Sequence, residues 1–214
     1  MNTARDLAIT VLSAPDREVG QGDLSLALAG AELLDLVEAR VVALDGDRLI
    51  PAGGPAPGDR LLGEAAATLV RQAPYEPVEE WLWRRGHELS RAYTAELARA
   101  GVVHHARGSR LLGRNERTVV VDSPAGREAA ARRVAGEPVL AALATAVGLP
   151  DRADESAGAT GGDPAAAGAG VDMGLTDDET VVLAAVGDAV MELEAVRQRR
   201  SIEKAAFDNI WRGL

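Results

Sequence analysis

The sequence predicts a mainly α fold: a helical bundle domain with two short β-hairpins, a flexible linker and two C-terminal helices. Three observations carry this. Hydrophobic residues make up 47% of the chain while aromatics reach only 3%. The core must therefore be built from Leu, Val and Ala, which pack helices closely and seldom build a β-sandwich. Apolar positions recur at helical spacing through most segments, punctuated by Pro, Gly and capping residues. Short apolar runs flank Asp-Gly and Arg-Gly-Ser turns, the mark of hairpins. A chain of 214 residues fits one well-buried domain. The pattern divides it into a helical domain over 1–150, a linker over 151–173 and a C-terminal helical pair over 174–214 that docks on the core.

In chain order, Thr3 reads as the N-cap of a short helix from Ala4 to Leu12, ending near Ala14-Pro15. Residues 23–39 form a second helix with a narrow polar stripe of Ser25, Glu32, Asp35 and Glu38. Leucines and valines fill the rest of its girth, which places it in the middle of the domain. Two apolar runs, 40–44 and 48–50, enclose Asp45-Gly46-Asp47 as a hairpin; the two aspartates belong to turn chemistry, since the other ligands of a calcium loop are missing. A helix follows from about Asp59 to Gln72. Pro77 opens a long helix to about Ala100, with Val78, Trp81, Leu82, Leu89, Tyr93 and Leu97 inward and Gly101 as its stop. Trp81 and Trp83 point to different faces, one to the core and one outward. A second hairpin begins with Val102 to His105, turns at Arg107-Gly108-Ser109 and returns through Leu111-Leu112, with Thr118 to Val121 as a further strand.

Ser123-Pro124 opens a helix to about Gly136, and Pro138 begins one reaching Gly148. Residues 151–173 are rich in Gly, Ala and Asp without periodicity, a flexible linker. Thr176-x-x-Glu179 is a capping box. Val182, Val186, Ala189, Leu193 and Val196 then make one helical stripe, and Ile202, Ala206, Phe207, Ile210 and Trp211 belong to a last helix from Ser201.

Several function classes fall away at this point. The absence of cysteine excludes disulfides and thiolate metal sites. No run reaches the roughly 18–20 apolar residues of a membrane span, and Met1 to Ala14 lacks the apolar core of a secretory signal, so the expected location is cytoplasmic. A net charge of −10 opposes general nucleic-acid affinity. No phosphate loop, zinc-helix motif or nucleophile elbow is present, and the expectation is a protein without enzymatic activity, cofactor or metal. His104 and His105 are adjacent on a strand and face opposite sides, which suits no shared metal.

Charge is uneven along the chain. Between Arg84 and Arg133 stand eleven arginines and five acids, a local +6, so the remainder carries −16. Within this stretch Arg84, His87 and Arg91 stand at i, i+3 and i+7, one stripe of a continuous helix. Converging donors of this kind suit an anionic headgroup, and arginine's fork matches phosphate oxygens; acidification that charges His87 strengthens the site. The same spacing also makes Glu80–Arg84, Arg84–Glu88 and Glu88–Arg91 ordinary helix-surface pairs.

Quoted in order, the segments T-A-R-D-L-A-I-T-V-L, A-L-A-G-A-E-L-L-D-L-V-E-A-R-V-V-A-L, P-A-P-G-D-R-L-L-G-E-A, P-V-E-E-W-L and L-A-R-A-G-V-V followed by R-L-L-G cover roughly residues 3–148. In order and spacing they resemble the Golgi phosphoprotein three family. The resemblance implies an almost all-helical domain with short hairpins. Eukaryotic relatives are peripheral Golgi proteins that bind phosphatidylinositol 4-phosphate and retain glycosyltransferases by their cytosolic tails. The family's lipid site uses a Trp and an Arg around the first core helix and two basic residues on the central helix. The corresponding positions here are Gly20, Ala29, His87 and Ser90, with Arg91 adjacent. The long hairpin of the relatives is replaced by a direct run of P-V-E-E-W-L-W into the helix. A generic anionic headgroup therefore fits this chain better than the specific one.

The expectation is a peripheral phospholipid-binding adaptor, for phosphatidylinositol 4-phosphate or a generic anionic headgroup, acting through Arg84, His87 and Arg91. Its partners are a membrane surface, at the inner membrane face, and protein tails, with no nucleic acid. The alternative is a winged-helix DNA-binding regulator, since helices followed by hairpins describe that fold too.

Overall fold

The computed structural model describes residues 2–14, 17–107, 116–150 and 174–212. The predicted linker 151–173, Gly108-Ser109 of the predicted turn and Leu111-Leu112 lie outside the described residues. So do the side chains of Ala206, Phe207, Ile210 and Trp211.

Among the described residues, eight helices and two hairpins follow one another. They are α1 (Thr3–Leu12), α2 (Gln21–Glu38), β1 (Val42–Asp45), β2 (Arg48–Pro51), α3 (Arg60–Ala67), α4 (Val78–Arg85) and α5 (Leu89–Arg99). Then come β3 (Val103–Arg107), β4 (Glu116–Val120), α6 (Pro124–Val134), α7 (Pro138–Ala146) and α8 (Asp177–Arg212). The expected mainly helical fold with two small antiparallel hairpins is what forms. In the first hairpin Asp45 stands opposite Arg48, and in the second Val103 stands opposite Val120. The strand predicted from Thr118 is β4, which begins at Glu116 and pairs with β3.

Caps written into the sequence start most helices. Asp59 accepts from the Leu62 N–H at 3.0 Å, Ser123 from Gly126 at 3.1 Å and Glu137 from Leu140 at 2.9 Å, each satisfying an orphan donor. The capping box at Thr176 closes both ways: Glu179 accepts from the Thr176 N–H, and Thr176 Oγ1 from the Glu179 N–H. At α1 the cap is Asn2 rather than Thr3, because Asn2 Oδ1 takes the Arg5 N–H at 2.7 Å. The Thr3 N–H is drawn instead to Asp35.

α2 is the axis of the bundle, packed against α1, α3, α4, α5, α7 and α8. Its predicted polar stripe is buried except at Glu38. Ser25 and Glu32, seven residues apart, stay nearly in line and both face α5, while the three-residue step to Asp35 rotates by about 300° and turns it toward α1. Ser25 Oγ accepts the Ser90 N–H of α5 at 3.0 Å. Glu32 holds Arg85 through both carboxylate oxygens, at 2.6 and 2.9 Å, and takes the Tyr93 hydroxyl at 3.0 Å. Asp35 accepts the Thr3 and Ala4 N–H groups at 2.9 and 3.1 Å and so fixes the start of α1.

Three expectations are corrected. The helix expected from about Asp59 to Gln72 stops at Ala67, where Thr68 takes the C-cap. The single helix expected from Pro77 to Ala100 is two helices, broken at Gly86-His87-Glu88 with Glu88 at φ +55°. A Cβ on Gly86 would lie 2.6 Å from the Leu82 carbonyl and 3.3 Å from that of Ser25, so the break presses its backbone against α2. The two C-terminal helices are one continuous helix, α8. The predicted start at Ser201 falls inside α8, where a serine costs only a few tenths of a kcal/mol. Val182, Val186 and Ala189 of α8 are buried in the core, and a Cβ at Gly30 of α2 would stand 2.3 Å from Val186 Cγ2. Glycine is what lets these two helices approach so closely.

Candidate functional site

The break between α4 and α5 decides where the predicted site residues go. A continuous helix would align Arg84, His87 and Arg91. With the turn at Glu88, Arg84 remains on α4 while His87 sits in the junction and Arg91 begins α5. Arg84 turns away from the other two. Its guanidinium grips Glu76, which is 7% exposed, by two bonds of 2.6 and 2.7 Å. It also lies 5.2 Å over the ring of Trp81. Trp81 is fully buried and donates its indole N–H to the Ala29 carbonyl at 3.3 Å. Arg84 thus brackets the loop before α4 onto the core.

His87 and Arg91 come together in a concavity of about 310 Å³ between the start of α2 and the α4–α5 junction. Gln21, Gly22 and Ser25 of α2, Trp83 of α4 and Leu193 of α8 complete its walls. Of the two α4 tryptophans, Trp83 is the outward one, 37% exposed. α2 opens at Gly20 with no side-chain cap, so its first N–H groups and the positive end of its dipole are presented there. Asp23, in the first turn, is compensated from α8: Arg197 reaches both its oxygens at 2.8 and 2.7 Å. The Ser25–Ser90 bond ties the two walls together beneath the concavity.

One acid lines the same space. Glu88 accepts from Arg91 at 2.8 Å, with both side chains more than half exposed. An exposed pair three residues apart is worth roughly 0–1 kcal/mol, so a phosphate competes for Arg91 on favourable terms. The spacing showed the Glu88–Arg91 pair. The walls supplied by Gln21, Gly22 and Leu193 carried no local signal, because they are 60 or more residues from His87 in sequence.

Elsewhere four arginines of the basic stretch are locally neutralised. Arg85 is held by Glu32, Arg99 by Glu96, Arg127 by Asp122, and Arg132 by Asp6 and Glu137. Burial pushes the Glu32 and Asp6 carboxyls upward, against the pull of their arginines. The side chains of Arg107, Arg110, Arg114 and Arg117 lie outside the described residues. A larger groove of about 540 Å³ between β4 and α6 contains Arg127, already paired with Asp122. His104 is exposed on β3. No helix among the described residues is long and apolar enough to cross a membrane.

The break in the long helix, the central α2 and the hairpins are set in a chain that matches the family model for Golgi phosphoprotein 3 (GPP34) over residues 4–201. No individually curated protein matches it. The match takes in the helical body and the greater part of α8. With nearly the whole length covered, the chain belongs to the Golgi phosphoprotein 3 (GPP34) family.

Proposed function

We propose that this protein is a peripheral adaptor that docks on anionic phospholipid headgroups, a binding role rather than a catalytic one. The observation that carries the reading is the concavity where His87, Arg91, the exposed Trp83 and the uncapped start of α2 meet. A phosphate monoester in that space takes N–H donors from the helix start and a forked cation from Arg91. Trp83 suits the interfacial depth, with an apolar ring and one polar N–H. Family membership supports the same reading.

Arg84 is assigned a different task in this account. It holds Glu76 and stacks on Trp81, and so keeps α4 in place. The recognition set is His87 and Arg91 with the α2 N-terminus. A lipid surface, rather than DNA, is the partner this reading favours, since Arg84, Arg85, Arg99, Arg127 and Arg132 are engaged by carboxylates at Glu76, Glu32, Glu96, Asp122 and Asp6.

Flotation tests the reading. Vesicles of neutral phosphatidylcholine are compared with vesicles carrying phosphatidylserine or phosphatidylinositol 4-phosphate. The protein should float with both anionic compositions and stay behind with the neutral one. Failure to float with either anionic vesicle ends the proposal, and flotation with phosphatidylinositol 4-phosphate alone makes the recognition specific.

A further inference from the structure

α8 outlasts the body it packs on. Its earlier turns bury Val182, Val186 and Ala189, Leu193 lines the headgroup concavity, and Arg197 reaches Asp23 in the first turn of α2. From Gln198 to Lys204 every residue is exposed, Ile202 at 70%. The helix nevertheless runs on to Arg212, a further ~22 Å at 1.5 Å per residue.

The residues of that extension point to what covers it. By helical register Ala206, Phe207, Ile210 and Trp211 share one side of the axis, at i, i+1, i+4 and i+5. Phe207 is the chain's single Phe and Trp211 one of its three Trp, so a protein poor in aromatics places two of them within five residues. All four lie beyond residue 201, where the family match ends. Arg199, Arg200, Lys204 and Arg212 stand against Glu203 and Asp208, which makes 198–212 +2 in a chain of −10. A helix pair between two copies asks for an apolar seam sustained over several turns. Here Arg199, Arg200 and Glu203 interrupt that side one to two turns before the aromatics. Aromatic residues on one side and cations around them suit a helix lying between lipid headgroups and acyl chains, with the cations drawn to an anionic surface. We infer that residues 198–212 of α8 are an interfacial arm, with Arg199 and Arg200 among anionic headgroups and the Phe207–Trp211 side at the acyl boundary. The arm leaves the body beside the concavity, so one bilayer meets both. It adds a second contact to the proposed membrane docking and shares no residue with the first.

The chain has no cysteine, so Ile210→Cys and Ala205→Cys each take a single nitrobenzoxadiazole label on the full-length protein. The two positions stand about 140° apart round the helix. With vesicles of phosphatidylcholine and phosphatidylserine, the label at 210 should shift to the blue and be quenched by nitroxides carried just below the headgroups. The label at 205 should stay in water. Phe207→Ser with Trp211→Ser should weaken co-sedimentation about tenfold or more, with circular dichroism confirming that the helices persist. In the Arg91→Gln background the shift at 210 should remain at saturating lipid. A shift that remains while Arg91→Gln leaves vesicle affinity unchanged removes headgroup docking at the concavity and leaves the arm standing. Equal shifts at both positions, no shift at 210, or unchanged co-sedimentation of the double serine variant overturns the inference. So does a shift at 210 that grows with protein concentration in the absence of vesicles, which is what a second copy covering this side would give.

Discussion

Arg84 and Arg91 are one residue type, seven positions apart, with opposite commitments. Arg91 meets an exposed acid that a ligand can displace; Arg84 meets Glu76, buried to 7% exposure, and a tryptophan ring. Replacing Arg84 with Ala strands a buried carboxylate and is expected to cost on the order of 2 kcal/mol. Chemical denaturation should show that loss while vesicle binding per folded molecule stays unchanged. Asp35 gives a residue-scale prediction in pH. Burial pushes its carboxyl up to about 6, against the N–H groups of Thr3 and Ala4 that favour the charged form. The folded protein therefore holds a proton there that the unfolded chain releases near pH 4. That contribution to stability is fully present below about pH 4 and is lost as pH rises through 6. It amounts to ~3 kcal/mol at most. Urea midpoints measured from pH 4 to pH 7.5 should fall less steeply in Asp35→Asn than in the wild type.

Helices were legible where the chain announces its ends. Asp59, Ser123, Glu137 and the Thr176–Glu179 box start theirs in the structure. The interruption at Gly86 was not legible, because one glycine in a helical pattern costs only about 1 kcal/mol and seldom ends a helix. What breaks it is tertiary: backbone pressed on α2, and Glu88 forced to φ +55°. That same break removes Arg84 from the predicted stripe, so the site was readable as residue types and not as a surface. The partner of Arg84 was hidden for a related reason. Helix spacing pointed to Glu80 and Glu88, while Glu76 reaches it from the preceding loop. At this scale α2 is the element to perturb. Arg85→Met leaves Glu32 buried without its charge partner, at a cost of roughly 3–5 kcal/mol. The double change Arg85→Met with Glu32→Met should recover most of it, which a double-mutant cycle by denaturation measures. Gly30→Val pushes against Val186 and should loosen α8, seen as faster amide exchange over 182–189.

The whole molecule carries −10, yet the proposed contact is cationic. Ionic strength separates the two. Near 10 mM salt, charges are felt over about 30 Å, and the acidic body is repelled by an anionic bilayer. Near 100 mM the range shrinks to about 10 Å, and only the concavity facing the surface counts. Vesicle affinity should rise between these conditions and fall again toward 1 M, where the local attraction is screened as well. The Glu88–Arg91 pair offers the most direct test of headgroup docking at the α4–α5 junction. Each basic residue near an anionic surface contributes about 1 kcal/mol, or roughly fivefold in affinity. Co-sedimentation with phosphatidylserine vesicles at 100 mM salt should find Glu88→Gln binding several-fold more tightly than the wild type and Arg91→Gln several-fold more weakly. Equal affinity of the wild type and both variants would contradict the account.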